Sequence, residues 1–288
     1  MSRNIYSENK VVSLYGLSRT IPDSILIDYC NKIIAHASPR SLCEVGFGKG
    51  STLIPFATFP NLEVFGVDSS SVMSKFVEEE LLKRGLRAKI INADARSLPA
   101  LLEKVDLVHT KAVTHMFENP REFLTAISRT VPEGGYFVIG KEESQPEDNL
   151  ENIGKFRLAN EEDPVLRDFY LAYFKMRREA KNPFVIPQMP AGDYDAAVNF
   201  LVNQGFCIEK EISTPQWTKQ ITLCEIIEAI REGTFTVFSK NCTLSDRRIY
   251  AEEMERFCSA NNIDSHAIRS YPSKLKAMIL RKQGSAQC

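Results

Sequence analysis

Short, largely apolar runs recur along the first half of the chain, each closed by polar residues or glycine. They lie at Ser41–Val45, Leu62–Val67, Ala88–Asn92, Val105–His109 and Tyr136–Gly140. Runs of this length and flanking predict strands buried on both faces. Between them the apolar positions take up helical spacing. Ser69, Ser70 and Ser71 offer a cap to a helix that carries Phe76, Val77, Leu81 and Leu82 and stops near Gly85. Pro120 suits the first turn of another, with Phe123, Leu124, Ile127 and Val131 at helical spacing and Pro132 beyond its end. Strand and helix in alternation imply a parallel sheet with helices on both faces.

After Gly140 the rhythm breaks. A polar stretch, Glu142–Asn152, leads into a segment rich in aromatics: Phe156, Phe169, Tyr170, Tyr173 and Phe174. Its helix-like part, Val165–Lys181, is apolar around much of its circumference and so must bury several sides. Asp193–Asn203 reads as a returning amphipathic helix and Phe206–Ile212 as a sixth strand. Residues 213–272 form a second insertion with the single tryptophan, Trp217, and two more helix-like runs; Lys274–Leu280 reads as the last strand. The pattern divides the chain into an α/β core, 1–140 with 193–212 and 273–282, and a cap built from insertions 141–192 and 213–272. The stretch before the first strand, with Tyr6, Tyr15 and Arg19, reads either as a lid over a ligand or as an ordinary helix packed on the sheet.

Composition narrows the function. Among 288 residues, 36 basic and 37 acidic side chains nearly cancel, whereas nucleic-acid binders carry a basic excess against phosphate. No nucleic-acid partner is expected. Seven scattered cysteines form no C-x-x-C pair and are not spaced with the four histidines as zinc ligands would be, so no metal site is expected. Reduced thiols, no apolar core in the first ten residues and no apolar run of about 20 residues lead to the expectation of a cytoplasmic protein without a membrane span.

The sharpest motif follows the first strand: Glu44-Val45-Gly46-Phe47-Gly48-Lys49-Gly50-Ser51. Glycines there allow a tight turn and close approach of a ligand to the backbone. Their spacing is G-x-G-x-G rather than the dinucleotide G-x-G-x-x-G. Glu44, two residues earlier, suits a cationic amino-acid group better than a pyrophosphate, which it would repel. This disfavours a nicotinamide-dependent oxidoreductase. Asp68, about 20 residues after the loop, can accept both hydroxyls of a ribose. Asp94, after the third strand, is placed to accept from an adenine amino group. Each acid can also be read as a helix cap or turn residue.

Together these pieces resemble the class I S-adenosylmethionine-dependent methyltransferases, in the broad group similar to the ubiquinone and menaquinone biosynthesis enzymes. The resemblance runs over residues 41–140. It rests on Glu44-x-Gly46-x-Gly48-x-Gly50, Asp68, Asp94-Ala95, Val105-Asp106-Leu107-Val108, Val113-Thr114-His115-Met116-Phe117 and Arg129-Thr130-Val131-Pro132-Glu133-Gly134-Gly135-Tyr136. It implies a Rossmann-like, doubly wound, mostly parallel seven-stranded sheet with an antiparallel last strand and a helical cap. It also implies S-adenosylmethionine as cofactor. Gly46, Gly48 and Gly50 would wrap its methionine part, Asp68 its ribose, and Asp94 with Ala95 its adenine, with Glu44, Phe47 and Ser69 also among the cofactor-binding residues. Thr110 and Lys111 would lie beside the sulfonium, and Tyr15 would close from the amino-terminal side. His115 is the candidate general base, ahead of His109 and Tyr15. The chain has no Asn/Asp-Pro-Pro-Tyr run and no Pro-Cys after the fourth strand, which with the near-zero net charge argues against a nucleic-acid substrate. The expected acceptor is a small molecule, methylated at oxygen or nitrogen. Aminopropyl or aminobutyl transfer from the same cofactor, or a non-enzymatic binding module on the same fold, are the alternatives. Oligomeric state is left open.

Overall fold

Apolar residues on both sides of the first strand explain why it lies inside the sheet, with a strand on each side. In a computed structural model that describes residues 21–114, 117, 119–143, 163–180, 194–234 and 242–284, β1 (Ser41–Val45) is buried from Leu42 onward. It lies between β2 (Glu63–Asp68) and β4 (Leu107–Lys111), parallel to both. β3 (Lys89–Asn92) extends the sheet beyond β2, and β5 (Tyr136–Glu143) lies on the other side of β4, again in parallel. The sheet continues through β8 (Arg269–Lys282) to β6 (Phe206–Ser213), giving the order β3-β2-β1-β4-β5-β8-β6. β8 runs antiparallel to β6. Its last residue, Lys282, exchanges backbone hydrogen bonds with Gly134 and Gly135 at the start of β5. The mostly parallel sheet with a reversed last strand is the architecture the sequence predicts.

The described residues divide into two compact units. One holds 22–142, 194–215 and 275–284; the other holds 21, 143, 163–180, 216–234 and 242–274. In the first unit, α1 (Asp23–Ala37) buries Tyr29, Cys30 and Ile33. Short α2 (Leu53–Phe56) follows the glycine loop, and α3 (Ser71–Lys83) starts at Ser70, whose hydroxyl accepts from the Met73 N–H. A 3-10 turn (Ala95–Ser97) and α4 (Leu98–Leu101) lead to β4. α5 (Pro120–Thr130) and α7 (Tyr194–Val202) complete the unit. Cys43, Val45, Val108, Phe123, Ile127 and Phe137 share one apolar cluster with Leu201. The alternate positions of β1 and β4, among them Glu44 and His109, therefore turn the other way, and His109 meets Tyr29 of α1.

In the second unit, α6 (Pro164–Glu179), α8 (Leu223–Glu232) and α9 (Leu244–Ala260) pack around Phe169, Tyr173, Ile226, Ile230, Tyr250 and Met254. Tyr170 and Phe174 pack against that cluster. The described aromatics of the first insertion thus form a core of their own. A further strand, β7 (Trp217–Ile221), pairs antiparallel with the first part of β8, where the sequence pattern shows only helix-like runs. β8 itself starts five residues before the predicted Lys274.

Candidate methyl-transfer site

The strand order reverses between β1 and β4, the place where open α/β sheets receive ligands. The loop that leaves β1 there has three residues in the left-handed region: Gly46 (φ 67°), Gly48 (φ 53°) and Gly50 (φ 76°). A side chain is disfavoured at each on backbone grounds. The loop is tied down on both sides. Gly46 N–H donates to the Val67 carbonyl at 2.7 Å, and Gly50 N–H to the Phe47 carbonyl at 2.9 Å. Gly48 N–H donates to Asp68 Oδ2 at 2.9 Å, while Asp68 Oδ1 accepts from Ser70 N–H at 2.8 Å. Asp68 therefore joins the end of β2 to the loop after β1. Burial raises its carboxyl above the usual aspartate range, and the nearby Glu44 adds to the rise, against the lowering effect of the two N–H donors.

Part of the glycine requirement is packing. A Cβ on Gly46 would stand 2.5 Å from Cγ2 of Val113, just beyond β4, and a Cβ on Gly50 would press on Val77 and Ile54. Phe47 is buried, and its ring fits because residue 66 is glycine: a Cβ there would meet Phe47 Cδ1 at 2.9 Å. Phe47 can offer a ligand only its backbone.

The other candidates are placed as follows. Glu44 is 1% exposed, with its carboxylate turned inward, where Thr52 donates to Oε1 and His109 Nδ1 stands 3.5 Å away. This departs from the expected direct contact with a cofactor amino group. Asp94 accepts from the Arg96 side chain at 2.7 and 3.0 Å and from its N–H at 2.8 Å, and the Arg96 guanidinium holds its carboxyl below the ordinary value. Arg96 also reaches Glu122 and lines a cavity of about 400 Å³ with Arg121, Thr125 and Arg129 of α5. Ala95 is buried and Ser69 is exposed. Thr110 is fully buried and its hydroxyl donates to the Val45 carbonyl at 3.3 Å, so a neighbouring ligand could meet only its backbone. Lys111 Nζ lies 2.9 Å from Ser51 Oγ and so reaches from β4 to the loop after β1. Tyr15 and His115 lie outside the described residues. His109, the second candidate base, is fully buried among Tyr29, Glu44 and Phe56 and is closed to any acceptor. Thr52 and Tyr29 are not legible in the sequence as parts of this site, since each acts through a partner at least eight positions away. Among the described residues no group of three or more His, Cys, Asp or Glu could hold a metal ion.

Comparison with known proteins agrees with this geometry. Residues 43–139 match the family of methyltransferase domains. No curated protein matches the sequence. Among solved structures, the chain is similar to YcgJ of Bacillus subtilis, with TM-score 0.53 and 16% identity over 90% of this chain and 99% of that one. YjhP of E. coli gives TM-score 0.53 and 11% identity over 98% of this chain and 100% of that one. At such identities the likeness shows the fold. No helix among the described residues is long and apolar enough to cross a membrane.

Proposed function

We propose that this protein transfers the methyl group of S-adenosylmethionine to a small-molecule acceptor, at oxygen or nitrogen. The observation that carries the reading is the glycine loop: three left-handed residues at the β1/β4 reversal, with Asp68 anchored to the middle one. The residues fit the cofactor. Bare backbone at Gly46–Gly50 would hold the methionine part, and Asp68, whose oxygens each retain acceptor capacity beyond one N–H, would take the ribose with Ser69. Ala95 and Asp94 would border the adenine, and Lys111 and the Thr110 backbone would border the sulfur. When bound, the cofactor supplies an activated methyl group for in-line transfer.

The chain's own work is then positioning and electrostatics. Holding two reactants in line can be worth several powers of ten in rate. Glu44, buried behind the loop, adds negative potential that favours a cation there without touching it. Burial raises Asp68 and the thiol of Cys43, and the Glu44 charge adds to both. A small acceptor is supported by the near-zero net charge and by the missing Asn/Asp-Pro-Pro-Tyr and Pro-Cys motifs. Residues 141–192 and 213–272 are assigned the selection of that acceptor.

Calorimetry with S-adenosylmethionine and S-adenosylhomocysteine tests the cofactor assignment: the wild type binds both, and Asp68→Ala binds at least about tenfold more weakly, as loss of hydrogen bonds to a charged acceptor implies. Mass spectrometry of the spent cofactor, after incubation with a panel of hydroxylated and amine metabolites, tests the reaction. S-adenosylhomocysteine is the expected product, and a different adenosyl thioether would refute methyl transfer.

A further inference from the structure

Behind the glycine loop lie four polar side chains that solvent hardly reaches. Tyr29, Thr52 and His109 are fully buried and Glu44 nearly so. They come from α1, the turn before α2, β4 and β1, and they form a chain. The Tyr29 hydroxyl is 3.0 Å from His109 Nε2, His109 Nδ1 is 3.5 Å from Glu44 Oε1, and Thr52 donates to that same oxygen. The phenol reaches the imidazole because residue 140 is glycine, where a Cβ would come within 2.2 Å of the hydroxyl. Edge contacts with Phe56 and Tyr29, at centroid separations of 5.2 and 5.7 Å, fix the imidazole plane. Polar groups in such a place cost free energy unless paired, so an apolar residue at 109 would satisfy packing alone more simply.

We propose that His109 is a positioning residue for the cofactor loop, the middle of a Tyr29–His109–Glu44–Thr52 chain that fixes the turn presenting Gly46–Gly50. The inference rests on the reading of that loop as the S-adenosylmethionine site. A carboxylate repels an unprotonated ring nitrogen, so the tautomer that suits this contact carries its proton on Nδ1 and accepts from the Tyr29 hydroxyl at Nε2. Glu44 in turn seats Thr52, two residues beyond Gly50 and at the start of α2. Glu44 Oε2 and His109 Nδ1 are both buried without a hydrogen-bond partner among the described residues, so the 3.5 Å approach of ring to carboxylate is a close polar contact rather than a hydrogen bond. The Thr52 hydroxyl is the one described hydrogen-bond donor to this carboxylate, and the imidazole is the polar group held against it. The titratable groups around the chain are Cys30 beside Tyr29 on α1, Cys43 on β1, Asp68 at the end of β2 and Lys111 on β4. Burial first, and Glu44 second, raise both thiols, so neither ionises near neutrality.

The test measures S-adenosylmethionine affinity by calorimetry, with thermal unfolding alongside. His109→Phe binds about tenfold more weakly, because the polar group facing Glu44 and the partner of the Tyr29 hydroxyl are lost together. His109→Gln keeps a polar amide between Tyr29 and Glu44 and restores most of the affinity. Tyr29→Phe, one oxygen smaller, shows the same trend by a lesser factor and keeps the test decisive should the larger change prevent folding. Wild-type affinity in both phenylalanine variants overturns the proposal. So does a loss unrelieved by glutamine, which is what lost packing alone produces. A wild type that binds neither S-adenosylmethionine nor S-adenosylhomocysteine overturns the loop assignment instead.

Discussion

Gly46 meets two demands at once. Its backbone is left-handed, with φ 67°, and Val113 occupies the volume a side chain would need. Gly46→Ala therefore combines backbone strain of about 1–2 kcal/mol with overpacking of about 1–3 kcal/mol. The expected loss is about 2–4 kcal/mol of folding stability by denaturant titration, together with weaker cofactor binding. A loss below about 1 kcal/mol would mean that the loop refolds around the methyl group. Asp68 gives a second prediction, with a sign set by its surroundings. Its carboxyl is raised by burial, so on acidification it gains a proton earlier than a surface aspartate would. Cofactor affinity that depends on the ionised form must then fall on an acid limb displaced upward from the ordinary aspartate range. Asp94, held low by Arg96, stays ionised through that window and cannot be the source. Asp68→Asn should abolish the limb as well as weaken binding; an unchanged limb would assign it elsewhere. At this scale the sequence revealed which residues cluster but not which way they face. Glu44 sits on a strand buried on both sides, and its inward turn depends on His109, 65 positions later, arriving to meet it.

Helix ends offer a cleaner contrast, because two caps in the second unit differ in what else they hold. α8 begins with a capping box in which Thr222 and Glu225 exchange hydrogen bonds with each other's backbone N–H. Thr222→Ala should cost about 1 kcal/mol. α6 begins at Asp163, which accepts from the Leu166 N–H and also receives Arg269 Nη1 at 2.9 Å on both carboxylate oxygens. Both of those side chains are more than four-fifths buried. Asp163→Ala strands the guanidinium as well as the helix start, so about 2–4 kcal/mol is expected, and Arg269→Ala in the same background should recover part of it. Additive losses would show that the ion pair carries no coupling. The same scale shows why some elements were legible and others were not. β1, β2 and β4 announce themselves because a parallel strand between two helix layers needs near-continuous apolar sequence. β7, Trp-Thr-Lys-Gln-Ile, hides its alternation behind Lys219, which is buried with its ammonium over the Tyr271 ring. The start of β8 is masked by Pro272, a residue that a sequence reading places in a loop.

For the molecule as a whole, the decisive fact is that neither unit is one continuous stretch of chain. β8 pairs with β7 through its first residues and with β6 through its last, and the core unit regains the chain after each excursion into the other. A fragment ending at residue 142 would keep the glycine loop and all the cofactor candidates but lose β6 and β8 from the sheet. Ligand binding therefore has to be tested on the full chain. A ligand that binds only the folded form, present at about 100 times its Kd, adds about 2.7 kcal/mol to stability. For a domain of this size each kcal/mol corresponds to roughly 2–4 °C, so S-adenosylhomocysteine should raise the unfolding midpoint by about 5–10 °C. The location of the effect is the sharper half of the prediction. Thr222→Ala lies in the other unit and should lower the starting midpoint while leaving the ligand-induced rise intact. Asp68→Ala should erase the rise even where the starting midpoint is preserved. A shift that survives Asp68→Ala, or vanishes with Thr222→Ala, would place the cofactor away from the β1/β4 reversal.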